Sequence, residues 1–168
     1  MREFAETLLA EAKSNKIPEE YNFFGPMIGE WDFEWVDRHG TDQERHIKGE
    51  WIFSWILEGT AVQDIFICPS REERRINRQK DAEYGTTVRL FNPNNKAWDI
   101  FYGYMGGATR LEARKEGDNI VLTEITLQNM KWVFSEITDK SFRWKNLRAQ
   151  DGSTWKLQGE LFATRRSN

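Results

Sequence analysis

Gly29-Glu30-Trp31-Asp32-Phe33-Glu34-Trp35 alternates large rings with acids at a period of two. In a β-strand that spacing puts Trp31, Phe33 and Trp35 on one face and the three carboxylates on the other. Residues 44–57 continue the rhythm. Ile47, Trp51, Phe53, Trp55 and Leu57 share one face, while His46, Lys48, Glu50 and Ser54 share the opposite one. The turn residues Asp37-Arg38-His39-Gly40 lie between the two stretches, so they read as an antiparallel pair with one apolar and one wet side.

Further turn signals follow at Gly59, 92–95, Gly106-Gly107, 116–119, Asp139-Lys140 and Asp151-Gly152. Strands are expected between them at 61–68, 84–91, 97–104, 109–115, 119–127, 131–137, 142–148 and 154–165, about ten in all. A chain of antiparallel hairpins of this length closes into an all-β barrel or packs as a sandwich. Upstream, Phe4, Leu8, Leu9 and Ala12 recur at helical spacing, which predicts an amphipathic N-terminal α-helix over 3–14 that packs on one end of the barrel. The expected organisation is one domain over 1–168, with the barrel over 28–165.

Composition narrows the functional classes. The chain has 168 residues with 30% charged and a net charge of −3, so it has no general attraction to nucleic acid. No stretch approaches the ~20 apolar residues of a membrane span, and the charged residues within 1–15 argue against a secretory signal. One cysteine, Cys68, suits a reducing cytoplasm. Aromatic residues reach 14% with eight tryptophans. Such rings either fill a barrel wall and its ends or line a cavity for a flat, apolar ligand.

The Gly29-Glu30-Trp31 segment, heading the first strand after an N-terminal helix, resembles the Gly-x-Trp signature of lipocalin-like (calycin) barrels. That resemblance implies a structural role for Trp31 near the closed end, with a terminal arginine over its ring; Arg165 is the better match and Arg166 the second. The wider pattern is similar to an uncharacterised bacterial lipocalin-like family. It includes Gly49-Glu50-Trp51, Leu57-Glu58-Gly59-x-Ala61-x-Gln63-Asp64, Asn92-Pro93 and the late Asp151-Gly152-x-x-Trp155. This second resemblance implies a fold and no activity. Haem-binding barrels of the nitrobindin type share the general look but use a histidine on a late strand. His39 and His46 are both early, which argues against haem, and no cofactor is expected.

Other chemistry is sparse. Two histidines and one distant cysteine make no metal cluster, and there is no Gly-x-Ser-x-Gly or phosphate-binding loop. Residues 70–82, Ser-Arg-Glu-Glu-Arg-Arg-Ile-Asn-Arg-Gln-Lys-Asp-Ala, form either a solvated hairpin loop or a lid whose arginines catch an anion at the barrel mouth. Several polar groups fall in phase with inward apolar ones: Glu124, Glu136, Asn146, Gln63 and Arg89. They either tie strands together or ring a cavity.

The leading expectation is binding of a small apolar or aromatic ligand inside the barrel. Trp35, Trp55, Trp98, Tyr102, Trp132 and Trp144 would form its wall, and Gln63, Arg89, Glu124 and Glu136 would orient it. One alternative is a cofactor-free cyclase or isomerase with Glu136 or Glu124 as general acid or base. The other is a filled barrel acting as an interaction module. No membrane or nucleic-acid partner is expected, and a homodimer is plausible.

Overall fold

The predicted strands are present, several of them alternating inward and outward side chains, as Gly29–Asp37 and Glu83–Asn92 do. The computed structural model describes residues 2–167. Its elements are α1 (Arg2–Leu8), β1 (Leu9–Ala10), β2 (Gly29–Asp37), β3 (Arg45–Ile56), β4 (Ala61–Cys68), α2 (Glu73–Ile76), β5 (Glu83–Asn92), β6 (Ala97–Tyr104), β7 (Gly107–Glu116), β8 (Asn119–Glu124), β9 (Met130–Ser135), β10 (Ser141–Ala149) and β11 (Trp155–Arg165). From β2 onward each strand pairs antiparallel with the next, and β11 returns to β2, with Arg165 opposite Trp31. The result is a closed, ten-stranded, up-and-down barrel in which the ring itself has no free edge.

The inward set is ring-rich. Trp31, Phe33, Trp51, Phe53, Trp98, Phe134, Phe142 and Trp144 belong to one core cluster. Gly159 makes room for this crowding on β11, since a Cβ there would sit 2.3 Å from Cζ2 of Trp35. Trp31 lies at the closed end. Its indole N–H donates to the Met27 carbonyl at 2.8 Å, and the Arg165 guanidinium lies 4.1 Å from its ring centroid. Arg165 also donates to the carbonyls of Pro26, Ile28 and Asp139. Gly29 has φ +126° and lies against Arg165, so a side chain there would be strained and would meet the guanidinium.

The N-terminus departs from the expected 3–14 helix. α1 ends at Leu8 and buries nothing, and Phe4 is 70% exposed. Leu9 and Ala10 instead pair with Ile56 and Trp55, continuing the edge of β3 beyond the start of β2. Backbone hydrogen bonding to the end of β3 displaces the last turns of helix, because a seven-residue helix with no buried face has little to hold it. The barrel end is closed by 17–27 instead. Ile17, Phe23, Phe24 and Met27 are buried, and the Trp98 indole donates to the Tyr21 carbonyl at 2.9 Å.

Candidate functional site: an aromatic cavity at the open end

The barrel interior is split by depth. Its lower half is packed solid by Phe24, Phe53, Trp98, Phe134 and Phe142. The upper half holds a cavity of about 210 Å³. Arg89 of β5 separates the two. It is 1% exposed and its guanidinium lies 4.9 Å from the Phe24 centroid, 5.2 Å from Phe53 and 6.0 Å from Phe134. Its Nη1 donates to Oδ2 of Asp64, an equally buried carboxylate on β4. Oδ1 of Asp64 accepts the Thr87 backbone N–H at 3.2 Å. Burial pushes the Asp64 carboxyl above its ordinary value, and Arg89 opposes that push. The Trp51 indole also favours the charged carboxylate, although its N–H lacks a partner at hydrogen-bond geometry.

The wall is aromatic. Trp35, Trp51, Phe66, Tyr102, Trp132 and Trp144 surround the space, with Ile47 and Cys68 between them. The rings brace one another: Trp132 lies 5.3 Å from Tyr102 and 5.7 Å from Trp144, and Trp144 lies 6.0 Å from Trp35. Burial and then the neighbouring Glu83 push the Cys68 thiol up to about 12, so it is a protonated, inert wall atom at neutral pH. Tyr102 donates its hydroxyl to Glu83 Oε2, and burial together with that carboxylate pushes the phenol above its ordinary value. Among the described residues, buried polar atoms of the lining side chains have no partner: Nε of Arg89, Nε1 of Trp51, Trp132 and Trp144, and Oδ1 of Asn146.

The mouth carries a charge network. Arg45 grips Asp37 with Nε and Nη2 at 2.8–3.0 Å and reaches Asp81 at 2.6 Å. Trp35 Nε1 adds a bond to Asp37 at 2.9 Å. Burial works against the Asp37 charge, but Arg45 and Trp35 outweigh it and hold the carboxyl below its ordinary range. Asp81 and Gln79 come from the 70–82 segment, which thus lies over the rim.

These positions sort the sequence-based candidates. Trp35, Arg89, Tyr102, Trp132 and Trp144 line the cavity together, as does Asn146. Trp55 and Trp98 are buried away from it, toward the closed end. Gln63 is a correction. It points outward, donating to Thr86 Oγ1 at 3.0 Å, and Asp64 takes the inward place. Glu124 ends β8 and accepts the backbone N–H groups of Thr126, Leu127 and Gln128, so it caps a turn rather than facing the cavity. Glu136 lies beyond the end of β9 with φ +51° and pairs on the exterior with Arg143 at 3.4 Å. Neither carboxylate is among the residues that line this cavity, although Glu124 lies in the adjoining groove with Glu83, Tyr102, Trp132 and Asn146. Two arginines of 70–82 have partners within the protein: Arg71 binds Glu50, and Arg74 donates to the Pro69 and Glu83 carbonyls. That segment brings an acid and an amide to the mouth instead. Trp51, Phe66, Asp64, Arg45, Asp81 and Glu83 are the contributors that the sequence reading missed.

No protein-family model matches the chain, and no curated protein matches its sequence. Among solved structures, Rv2717c from M. tuberculosis superposes with a TM-score of 0.59 over 90% of this chain and 99% of its own, at 10% identity. The S-type phycobiliprotein lyase CpeS from Guillardia theta superposes with a TM-score of 0.56 over 87% of this chain and 92% of its own, also at 10% identity. What this chain shares with both is the lipocalin-like β-barrel.

Proposed function

We propose that this barrel binds a small, flat, largely apolar or aromatic molecule in its upper half. One observation carries the reading: a ring-walled cavity stands directly above a barrel that is otherwise packed to its floor. Close-packed interiors do not leave such voids without cost, because the lining atoms forgo their dispersion contacts. The unpartnered Arg89, Trp132, Trp144 and Asn146 atoms add the cost of desolvated polar groups, which a bound molecule or its water relieves. Size limits the occupant. At about 210 Å³ the space exceeds the ~150 Å³ that admits benzene and falls below the ~300–1,000 Å³ of drug-sized clefts. One or two fused rings fit. The neighbouring phycobiliprotein lyase shares only the fold, so its substrate class does not transfer. The single cysteine supports a cytoplasmic setting.

Native mass spectrometry of freshly purified protein, followed by solvent extraction, tests the reading. The expected result is a stoichiometric adduct lost on denaturation, or, for a bare chain, saturable quenching of tryptophan emission by one- and two-ring compounds. A bare mass together with no spectral response to any such compound overturns it.

A further inference from the structure

We propose that the molecule held in the cavity is an organic cation, a flat one- or two-ring body carrying a protonated nitrogen. This inference rests on the binding function proposed above and adds the ligand's charge.

Around the cavity two guanidiniums face four carboxylates. Arg89 is committed to Asp64, and Arg45 is shared between Asp37 at 2.8 Å and Asp81 at 2.6 Å. Glu83 remains. Among the described residues its carboxylate makes no ion pair, and the Tyr102 hydroxyl is its side-chain partner. The nearby Arg74 makes no ion pair with that carboxylate and donates instead to the Glu83 backbone carbonyl at 3.1 Å. A half-buried carboxylate beside tryptophans, with no cation of its own, draws one from outside.

The rings point the same way. This protein places a cation over many of its aromatic faces: Arg165 over Trp31, Lys131 over Trp155, Arg74 over Tyr84, Arg143 over Phe162 and Arg89 over Phe24. Among the described residues no such partner stands over Trp35, Trp51, Phe66, Tyr102, Trp132 or Trp144, the rings that wall the cavity. Their negative faces are the surfaces that attract an ammonium or a charged heteroaromatic ring. Asn146 supplies a third observation. Its Oδ1 is buried without a donor, and the residue lines the same side of the space as Glu83 and Tyr102. An N–H of the ligand satisfies it. The indole N–H groups of Trp51, Trp132 and Trp144 and Nε of Arg89, which among the described residues have no partner, are left for an acceptor on the ligand's ring or for water. An anion would have to displace Asp64 from Arg89 and sit near an unneutralised Glu83.

Three probes with one ring system separate the possibilities: naphthylmethylamine as the cation, naphthalenemethanol as the neutral form and naphthoate as the anion. Calorimetric titration at neutral pH and low salt should rank them in that order, with the amine about tenfold tighter than the alcohol. In Glu83→Gln, where the amide oxygen still accepts the Tyr102 hydroxyl, the amine should fall to within about twofold of the alcohol, losing far more affinity than the alcohol does. Tyr102→Phe, which keeps the carboxylate, should preserve the preference for the amine. Naphthoate binding as tightly as the amine overturns the inference, as does an amine preference that survives Glu83→Gln. Failure of all three probes on a chain of bare mass, with no response to other one- and two-ring compounds, overturns the binding function itself, and that outcome is distinct from a wrong charge.

Discussion

Arg89 and Asp64 show how one residue pair partitions a barrel. A guanidinium at 1% exposure is tolerated because three phenyl faces and one carboxylate surround it. Removing one partner leaves the other charge buried. Asp64→Ala is therefore expected to lower the unfolding free energy by about 3–5 kcal/mol in urea denaturation. The double variant Asp64→Leu, Arg89→Met should recover most of that loss, because it removes both desolvation penalties. If the double variant is no more stable than Asp64→Ala, the pair is not the source of the cost. Of these two residues only Arg89 was legible in the sequence. β5 alternates cleanly around Thr87, Arg89 and Phe91, whereas 61–68 is apolar in both phases. Ala61 and Ile67 are buried on the outer face while Val62 and Phe66 are turned inward. A strand covered on both sides has no wet face to mark its phase, so Gln63 and Asp64 could not be told apart.

At the level of elements, the 70–82 segment is the part whose role depends most on its partners. It is tied at one end by Arg71 to Glu50 and at the other by Asp81 to Arg45. The Asp81 tie crosses the cavity mouth. Asp81→Asn should loosen the segment without unfolding the barrel. The expected readouts are faster amide exchange across 70–82 and ligand association and dissociation rates that rise together, with little change in global stability. Unchanged exchange would show that Arg45 does not latch the segment.

Glu50 joins three elements. It accepts from the Arg71 backbone N–H at 2.7 Å, from the Arg71 guanidinium at 2.8 Å and from Arg166 at 2.6 Å. Arg71 above all, with Arg166, holds its carboxyl at about 2 against an ordinary 4.5. A carboxylate depressed in the folded state stabilises fully above its unfolded value and loses that contribution as pH falls toward the folded one. Acid titration of stability should therefore show a loss between about pH 5 and pH 2 that is smaller in Glu50→Gln. Parallel profiles for the two proteins would contradict this role. Neither tie is readable from 70–82 itself. Its five basic residues look alike in sequence, and the partners that distinguish Arg71 and Arg74 lie on β3 and around the mouth.

For the whole molecule, the barrel was legible because period-two alternation and turn chemistry are local signals. Trp31, Phe33 and Trp35 on β2, Trp98, Ile100 and Tyr102 on β6, and Phe142 and Trp144 on β10 face inward as their spacing requires. The terminal arginine over Trp31 followed from the Gly-x-Trp resemblance and is present at Arg165. The N-terminal helix is present but shorter and less buried than its stripe suggested, for the opposite reason. A helical stripe marks a face that could be buried, but burial needs a surface to receive it, and residues 17–27 already occupy the barrel end. Sequence by itself thus determined the strand set, the antiparallel closure and the inward phase of most rings, since each depends on neighbours two residues away. Only the tertiary structure decided at what depth each ring lies, which rings pack and which enclose space, and that Glu124 and Glu136 serve turns and surface pairs. Those outcomes depend on where strands end and on contacts between residues as distant as Asp64 and Arg89, or Arg45 and Asp81, and no local period encodes them.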